Sequence, residues 1–264
     1  MKQTVFFVCF ILLFWANFSV AGTAEEKRVD AILDISGVYK QTMAMDEVLK
    51  GQIAERERVA KNKLEERITN ILKTEFHSEA LLAKVRSEML KTFKEDELMT
   101  LESFYSNPKI RNLSRMEEDA ATPLGAKEFR AFLKDSAGKK PDAERMKIYE
   151  KFEEATQGAK LSTLIVVSMT KSMMYSLTGK EMSKDELIQL IKKIKPVMYQ
   201  NGSLRFLYVY RNASDVDMEI YLQTYSKSNE IKKFMKIIFN KYQEAFDEWG
   251  QNAGDKLKKL NLQH

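Results

Sequence analysis

The chain has 264 residues, 31% charged and 44% hydrophobic, which excludes both a disordered polypeptide and one embedded in a membrane along its whole length. Only 10 glycines and 4 prolines leave little material for a loop-rich or all-β fold, and runs of Glu, Lys, Leu, Met and Ala favour helix. The net charge of +5 is mild and its charges are interleaved, as in Glu55-Arg56-Glu57-Arg58, so it describes solvated helix faces rather than a nucleic-acid footprint.

Residues 1–21 have the three-part layout of a secretory signal peptide: Lys2, an apolar run from Val5 to Trp15, then the small residues of Ser19-Val20-Ala21 before a cleavage point. An uncleaved N-terminal anchor is the alternative, because Val5 to Val20 approaches spanning length. The expected location is outside the cytoplasm, in the periplasm of a Gram-negative bacterium. Cys9, the only cysteine, falls inside this run, so the remainder carries no thiol. Residues 1–21 contain one lysine and no acid, which leaves 42 basic and 38 acidic side chains.

Residues 22–135 read as a first helical half. Val29, Ile32, Leu33, Tyr39 and Met43 give a helical stripe from Glu25 to about Ile53. A charged helix with Val59, Leu64, Ile68, Ile71, Leu72 and Phe76 on its inner side follows. Ser78 is the expected N-cap of a third helix that turns Leu81, Leu82, Val85 and Met89 inward. The next stretch, Phe93 to Pro108, predicts an amphipathic helix whose stripe is Leu98, Leu101, Phe104 and Tyr105, ending at a corner where Pro108 opens the following helix. Ile110, Leu113 and Met116 continue that helix. Thr122-Pro123 opens another, expected to bury Leu124, Phe129, Phe132 and Leu133. Residues 136–141 are the expected linker, with Gly138 as a stop and Pro141 as a restart.

Residues 142–250 read as a second helical half. A helix carrying Met146, Tyr149 and Phe152 is expected to stop near Gly158. Leu161 to Leu177 is the most apolar stretch beyond the N-terminal run, and Lys171 with its many Ser and Thr neighbours predicts a buried central helix rather than a span. Ser183-Lys184-Asp185-Glu186 is a capping box for a helix with Leu187, Ile191 and Ile194 on its face. Asn201-Gly202 predicts a turn. Leu204 to Tyr210 has strand-like composition. Ser214 to Ser228 is a looser copy of the earlier motif, with Tyr221 and Tyr225 on its stripe. Tyr105 and Tyr225 stand 120 residues apart. That register makes Leu204 to Tyr210 the counterpart of the Ser78 helix, so it is assigned as helix. Ile231 to Trp249 forms the clearest amphipathic pattern, and residues 251–264 are expected to be a flexible basic tail. The fold expected is all-α, with two related multi-helix halves packed as one bundle-like unit.

Chemistry-bearing residues are sparse. The two histidines, His77 at a helix junction and His264 at the end, supply neither a metal site nor a catalytic triad, and no dinucleotide, P-loop or zinc-protease motif occurs. No cofactor is expected. The carboxylate pairs Glu95 with Glu97 and Asp215 with Asp217 sit in first helical turns, where free N–H groups and the dipole stabilise them. Glu117-Glu118-Asp119 reads as a solvated face, and no acid is isolated in an apolar setting. Met169, Met173, Met174, Met182 and Met198 cluster in the second half and suit irregular gaps or an apolar ligand. The leading functional expectation is a non-enzymatic exported protein that binds a partner protein or envelope component. The alternative is a binder of a hydrophobic small molecule or lipid in a Met/Phe-lined cavity. A hydrolase using a carboxylate pair stands third. Nucleic acid is not an expected partner. Membrane-surface contact through the Ile231–Trp249 helix is disfavoured because that helix is expected to pack on the core. Partner identity and oligomeric state are not legible from sequence.

Glu97-Leu98-x-x-Leu101-x-x-Phe104-Tyr105-Ser106-Asn107-Pro108 resembles the E-L-x-x-[FLI]-x-x-F-Y-x-S-P-x-G-x-K signature of an uncharacterised exported bacterial family, the domain of unknown function numbered 2059. Asp217-Met218-x-x-Tyr221-x-x-Thr224-Tyr225-Ser226-Lys227-Ser228 is similar to a degenerate second instance. The first copy has Lys109-Ile110 in place of the glycine after the proline, and the second lacks the proline. Thr122-Pro123-Leu124-Gly125-Ala126-Lys127 carries the missing pattern on the following helix. The resemblance implies an exported all-helical protein and supplies no catalytic residue. Leu98, Leu101, Phe104, Tyr105, Pro108, Tyr221 and Tyr225 are therefore expected to be structural, with interaction as their only other role.

Overall fold

Thr23 accepts a hydrogen bond from the backbone N–H of Glu26, whose carboxylate returns one to the Thr23 N–H, and this capping box starts the first helix, α1 (Ala24–Ile35). The computed structural model describes residues 23–58, 70, 71, 77–136, 138 and 140–261, and no strand occurs among them. The chain is all-α. The stripe read as one helix from Glu25 to Ile53 is broken at Gly37, whose φ of +82° favours glycine, and α2 (Val38–Arg58) starts afresh. A Cβ at Gly37 would also stand 3.0 Å from Cγ of Glu118, so the break brings the chain close to a later helix. Of the charged helix expected next, only Asn70 and Ile71 lie within the described residues.

The first set continues with α3 (Ser78–Thr92), α4 (Glu95–Ser106), α5 (Pro108–Ala121) and α6 (Pro123–Ser136). His77, not Ser78, holds the N-cap position of α3; Ser78 is buried and donates to the Met43 sulfur. Asn107 caps α5 by accepting from the Lys109 N–H, with Pro108 at the first helical position as expected. Beyond Gly138 come α7 (Ala143–Thr156), α8 (Gly158–Thr178), α9 (Lys184–Val209), α10 (Asp215–Lys227) and α11 (Asn229–Asn261). Leu204 to Val209 is helical, as the repeat register required.

Element bounds recur at the 120-residue spacing. α1 corresponds to α7, α2 to α8, α4 to α10, and the start of α5 to the start of α11. Ion pairs recur as well. Arg28 on α1 pairs with Glu95 at the start of α4, and Arg145 on α7 pairs with Asp215 at the start of α10. The two sets also exchange partners. Glu97 of α4 is held by Lys233 of α11 at 2.8 Å, while Asp217 of α10 is held by Lys109 of α5 at 3.0 Å. Both sets fill one continuous core, in which Ile32, Val85, Met89, Leu98 and Leu101 join Tyr149, Phe206, Met218, Ile231 and Phe234. Each such side chain contributes about 1.5–3 kcal/mol when taken out of water.

The helix stop expected near Gly158 does fall there, with Gln157, at φ of +54°, closing α7 in the left-handed conformation. Several other sequence expectations differ from what the helices do. Asn201-Gly202 makes no turn and lies inside α9, because the glycine serves packing: a Cβ there would stand 2.8 Å from the Tyr149 hydroxyl. Gly250 ends nothing. α11 runs on to Asn261 with Ala253 fully buried, and the missing side chains of Gly250 and Gly254 let its backbone meet Met169 and Met173 of α8. Residues 262–264 lie outside the described set. The apolar helix α8 is not a buried central helix. Only Ala159, Thr163 and Val167 on it are buried, since α11 and α9 cover two of its sides and leave the third open. Leu124, Tyr39 and Ile191 are likewise exposed rather than turned inward. No described helix is long and apolar enough to cross a membrane.

Candidate functional site

A cavity of about 520 Å³ opens where α7, α8 and α9 meet the start of α2, the end of α5 and the middle of α6. Its walls are mostly aromatic. α7 contributes Tyr149 and Phe152, α9 contributes Phe206 and Met198, and α6 contributes Phe129. Small residues at Gly158, Ala159, Ser162 and Gly202 keep the opposite wall thin. Tyr149 stays in place because its hydroxyl donates to the Tyr199 carbonyl at 3.1 Å and its ring lies edge-on to Tyr199 and tilted against Phe206.

One end of the cavity is polar. Glu117 of α5 accepts a short hydrogen bond from the Tyr210 hydroxyl and a second from the Gln41 side-chain amide at 3.3 Å. Arg205 stands on the same lining, donates to the Ala120 carbonyl at 3.3 Å, and carries its guanidinium 5.9 Å from the Phe129 ring centre. Burial raises the Glu117 carboxyl above its ordinary value of 4.5, the bonds from Tyr210 and Gln41 and the charge of Arg205 oppose the rise, and the Glu118 charge adds to it. Burial, with the neighbouring Glu117 charge second, holds the Tyr105, Tyr210 and Tyr221 hydroxyls well above the ordinary tyrosine value. These tyrosines therefore act as neutral hydrogen-bonding groups at physiological pH.

The expectation that Glu117-Glu118-Asp119 is a solvated face is thus corrected. Glu117 lines the cavity, and Glu118, only 7% exposed, is clasped by Lys40 at 3.0 Å and by Arg111. The statement that no acid stands in an apolar setting falls with it. The signal lay in spacing: Ile110, Leu113, Glu117 and Ala120 occupy one helical stripe, so Glu117 sits on the face that packs inward. Gln41, Arg205, Ser162 and Tyr210 carried no comparable signal, because the cavity joins segments far apart in the chain.

The predicted motif residues lie behind this wall. Leu98 and Leu101 are fully buried, and Phe104, Tyr105, Tyr221 and Tyr225 are nearly so, while Pro108 is exposed at the start of α5. Their rings form a chain: Tyr105 meets Phe104 at 4.8 Å, Phe104 meets Tyr221 at 5.9 Å, and Tyr221 stacks on the cavity residue Phe152 at 6.0 Å. Of the clustered methionines, Met198 reaches the cavity, Met169 and Met173 pack against α11, and Met174 is exposed. The paired carboxylates Glu95, Glu97, Asp215 and Asp217 are committed to the ion pairs described above. Lys233 and the Lys94 N–H hold Glu97 below the ordinary carboxylate range, and Lys109 and Ser214 do the same for Asp217. Glu153, the other acid on the cavity lining, accepts from the Ala159 N–H at 2.9 Å and the Lys160 N–H at 3.3 Å, so it caps α8. His77 is an exposed helix-junction residue, and no group of three or more His, Cys, Asp or Glu capable of holding a metal ion occurs among the described residues.

Fold and site together define an all-helical protein with an aromatic cavity closed at one end by an enclosed carboxyl. Comparison with protein-family models, with curated proteins and with solved structures gave no match in any of the three.

Proposed function

We propose that this is a non-enzymatic, exported binding protein whose cavity takes a small, mainly apolar molecule bearing one hydrogen-bonding head group. The observation that carries the reading is the combination, in one space of about 520 Å³, of aromatic walls with a polar end made by Glu117, Tyr210, Gln41 and Arg205. Sites for small molecules have volumes of about 300–1,000 Å³, apolar walls and a few convergent polar groups. The aromatic rings bury the ligand body, and the polar end orients its head: Arg205 donates to an oxygen, and the Glu117 carboxyl accepts from a hydroxyl or amine. The acids that would form a hydrolytic pair are instead engaged in caps and ion pairs, which favours binding over catalysis. The N-terminal apolar run with its small-residue end supports export.

Uptake of an apolar fluorescent probe by the purified chain tests the proposal, with Ser162→Trp as the blocking variant. Ser162 lines the cavity and is itself exposed, so an indole there fills the space without displacing core atoms. Saturable uptake by the wild type, reduced about tenfold or more in the blocked variant at an unchanged melting temperature, is the expected result. Uptake that Ser162→Trp leaves unaltered would overturn the reading.

A further inference from the structure

α8 and α9 pack against each other, and each leaves apolar side chains exposed. α8 meets α11 through Ser168, Met169, Ser172 and Met173, which reach Gln243, Gly250, Asp247 and Gly254. Leu164, Lys171, Met174 and Tyr175 stand on α8 beside that contact and are exposed. On α9, Ile188, Ile191 and Tyr199 recur at helical spacing with Lys184, Lys192 and Lys195 on the same side of the helix. All six of these apolar side chains are exposed, Tyr175 to 52%. Seven of the eleven large hydrophobic side chains exposed among the described residues belong to α8 and α9, so the apolar exposure is gathered on one layer.

Charge on this layer is equally uneven. Residues 158–200 contain seven lysines against three acids, Glu181, Asp185 and Glu186, an excess of four that accounts for most of the +5 of the whole chain. None of the seven lysines has an ion-pair partner among the described residues, unlike Lys84, Lys109, Lys233 and some others elsewhere in the chain. Unpaired lysines interleaved with exposed Ile, Leu, Met and Tyr match a negatively charged, partly apolar surface. A second copy of the chain would set lysines against lysines. The N-terminal run Val5 to Val20 would cover the apolar residues and leave the charge unanswered.

From this we infer that the α8–α9 layer docks on a bilayer containing anionic lipid, with the apolar side chains at the headgroup level and the lysines on lipid phosphates. The inference is independent of the cavity, since none of the docking side chains lines it.

Sedimentation of the full chain with vesicles tests it, comparing pure phosphatidylcholine with phosphatidylcholine containing about one third phosphatidylglycerol. Two double variants are run beside the wild type: Lys192→Glu with Lys195→Glu, and Ile188→Ser with Ile191→Ser. Because the N-terminal run is common to every protein compared, its contribution cancels. The expected result is binding to the anionic vesicles that drops about tenfold or more in each variant and weakens strongly in about 0.5 M salt. Melting temperature and cavity-probe uptake stay at wild-type values. Equal binding to neutral vesicles, or binding that neither variant alters, overturns the inference. So does a dimer in solution that the lysine variant dissociates or tightens, since it would assign the face to a second copy.

Discussion

At the scale of single residues, Glu117 decides what the site can do. A carboxyl whose folded-state value is raised favours the protonated form in the folded chain, so its contribution to stability is greatest below the ordinary value of 4.5 and is lost as pH rises through the raised value. Replacing Glu117 with Gln removes that loss while keeping an oxygen for the Tyr210 hydroxyl. The variant is expected to melt higher than wild type at pH 8 and to lose that advantage at pH 4, as thermal unfolding at both pH values will show. An equal difference at the two pH values would mean that the carboxyl is not enclosed. Tyr105 tests the motif. It is 3% exposed and packs edge-on to Phe104 and Phe234, so Tyr105→Ala should cost about 3–5 kcal/mol in chemical denaturation. The stripe Leu98, Leu101, Phe104 and Tyr105 was legible from helical spacing alone. The role of Glu117 was written in the same spacing but hidden by its two acidic neighbours, which made the triplet look solvated.

At the scale of helices, two devices set the packing. The first is the exchange of ion pairs, Glu97 with Lys233 and Asp217 with Lys109, which ties each motif helix to the helix that follows the other motif. Both acids are held below their ordinary values, so this contribution is present at neutral pH and fades as pH falls through the depressed values. Glu97→Gln is expected to lower the melting temperature at pH 7, and the gap to wild type is expected to narrow as pH falls and Glu97 takes up its proton. The second device is the pair Gly250 and Gly254, whose absent side chains let α11 lie against the backbone of α8. A Cβ at Gly254 would stand 2.6 Å from that of Ser176, so Gly254→Ala should destabilise by about 1–3 kcal/mol although alanine is the better helix former. The cap at Ser183 and the helix start at Pro108 were readable from sequence because they are local. Glycines in helix interiors were not, because a glycine that ends a helix and one that admits a neighbour look alike until the neighbour is known. The break at Gly37 was missed for the related reason that apolar periodicity carried through it, whereas the stop beside Gly158 was read from the glycine itself.

At the scale of the molecule, the apolar helix α8 shows how far composition reaches. Its hydrophobicity predicted a buried centre, yet it lies on the outside with one side bare, because α11 meets it through small residues and α9 covers only a second side. All-helical architecture followed from composition; the cavity did not, since it is assembled from α2, α5, α6, α7, α8 and α9 at once. The reading of the chain as a binding protein rests on that cavity being used. Native mass spectrometry of the chain purified from cells, compared with Ser162→Trp prepared in the same way, measures this directly. A bound molecule small enough for about 520 Å³, carried by the wild type and missing from the variant, is the predicted result. A wild-type chain that arrives empty and takes up no apolar probe would contradict it.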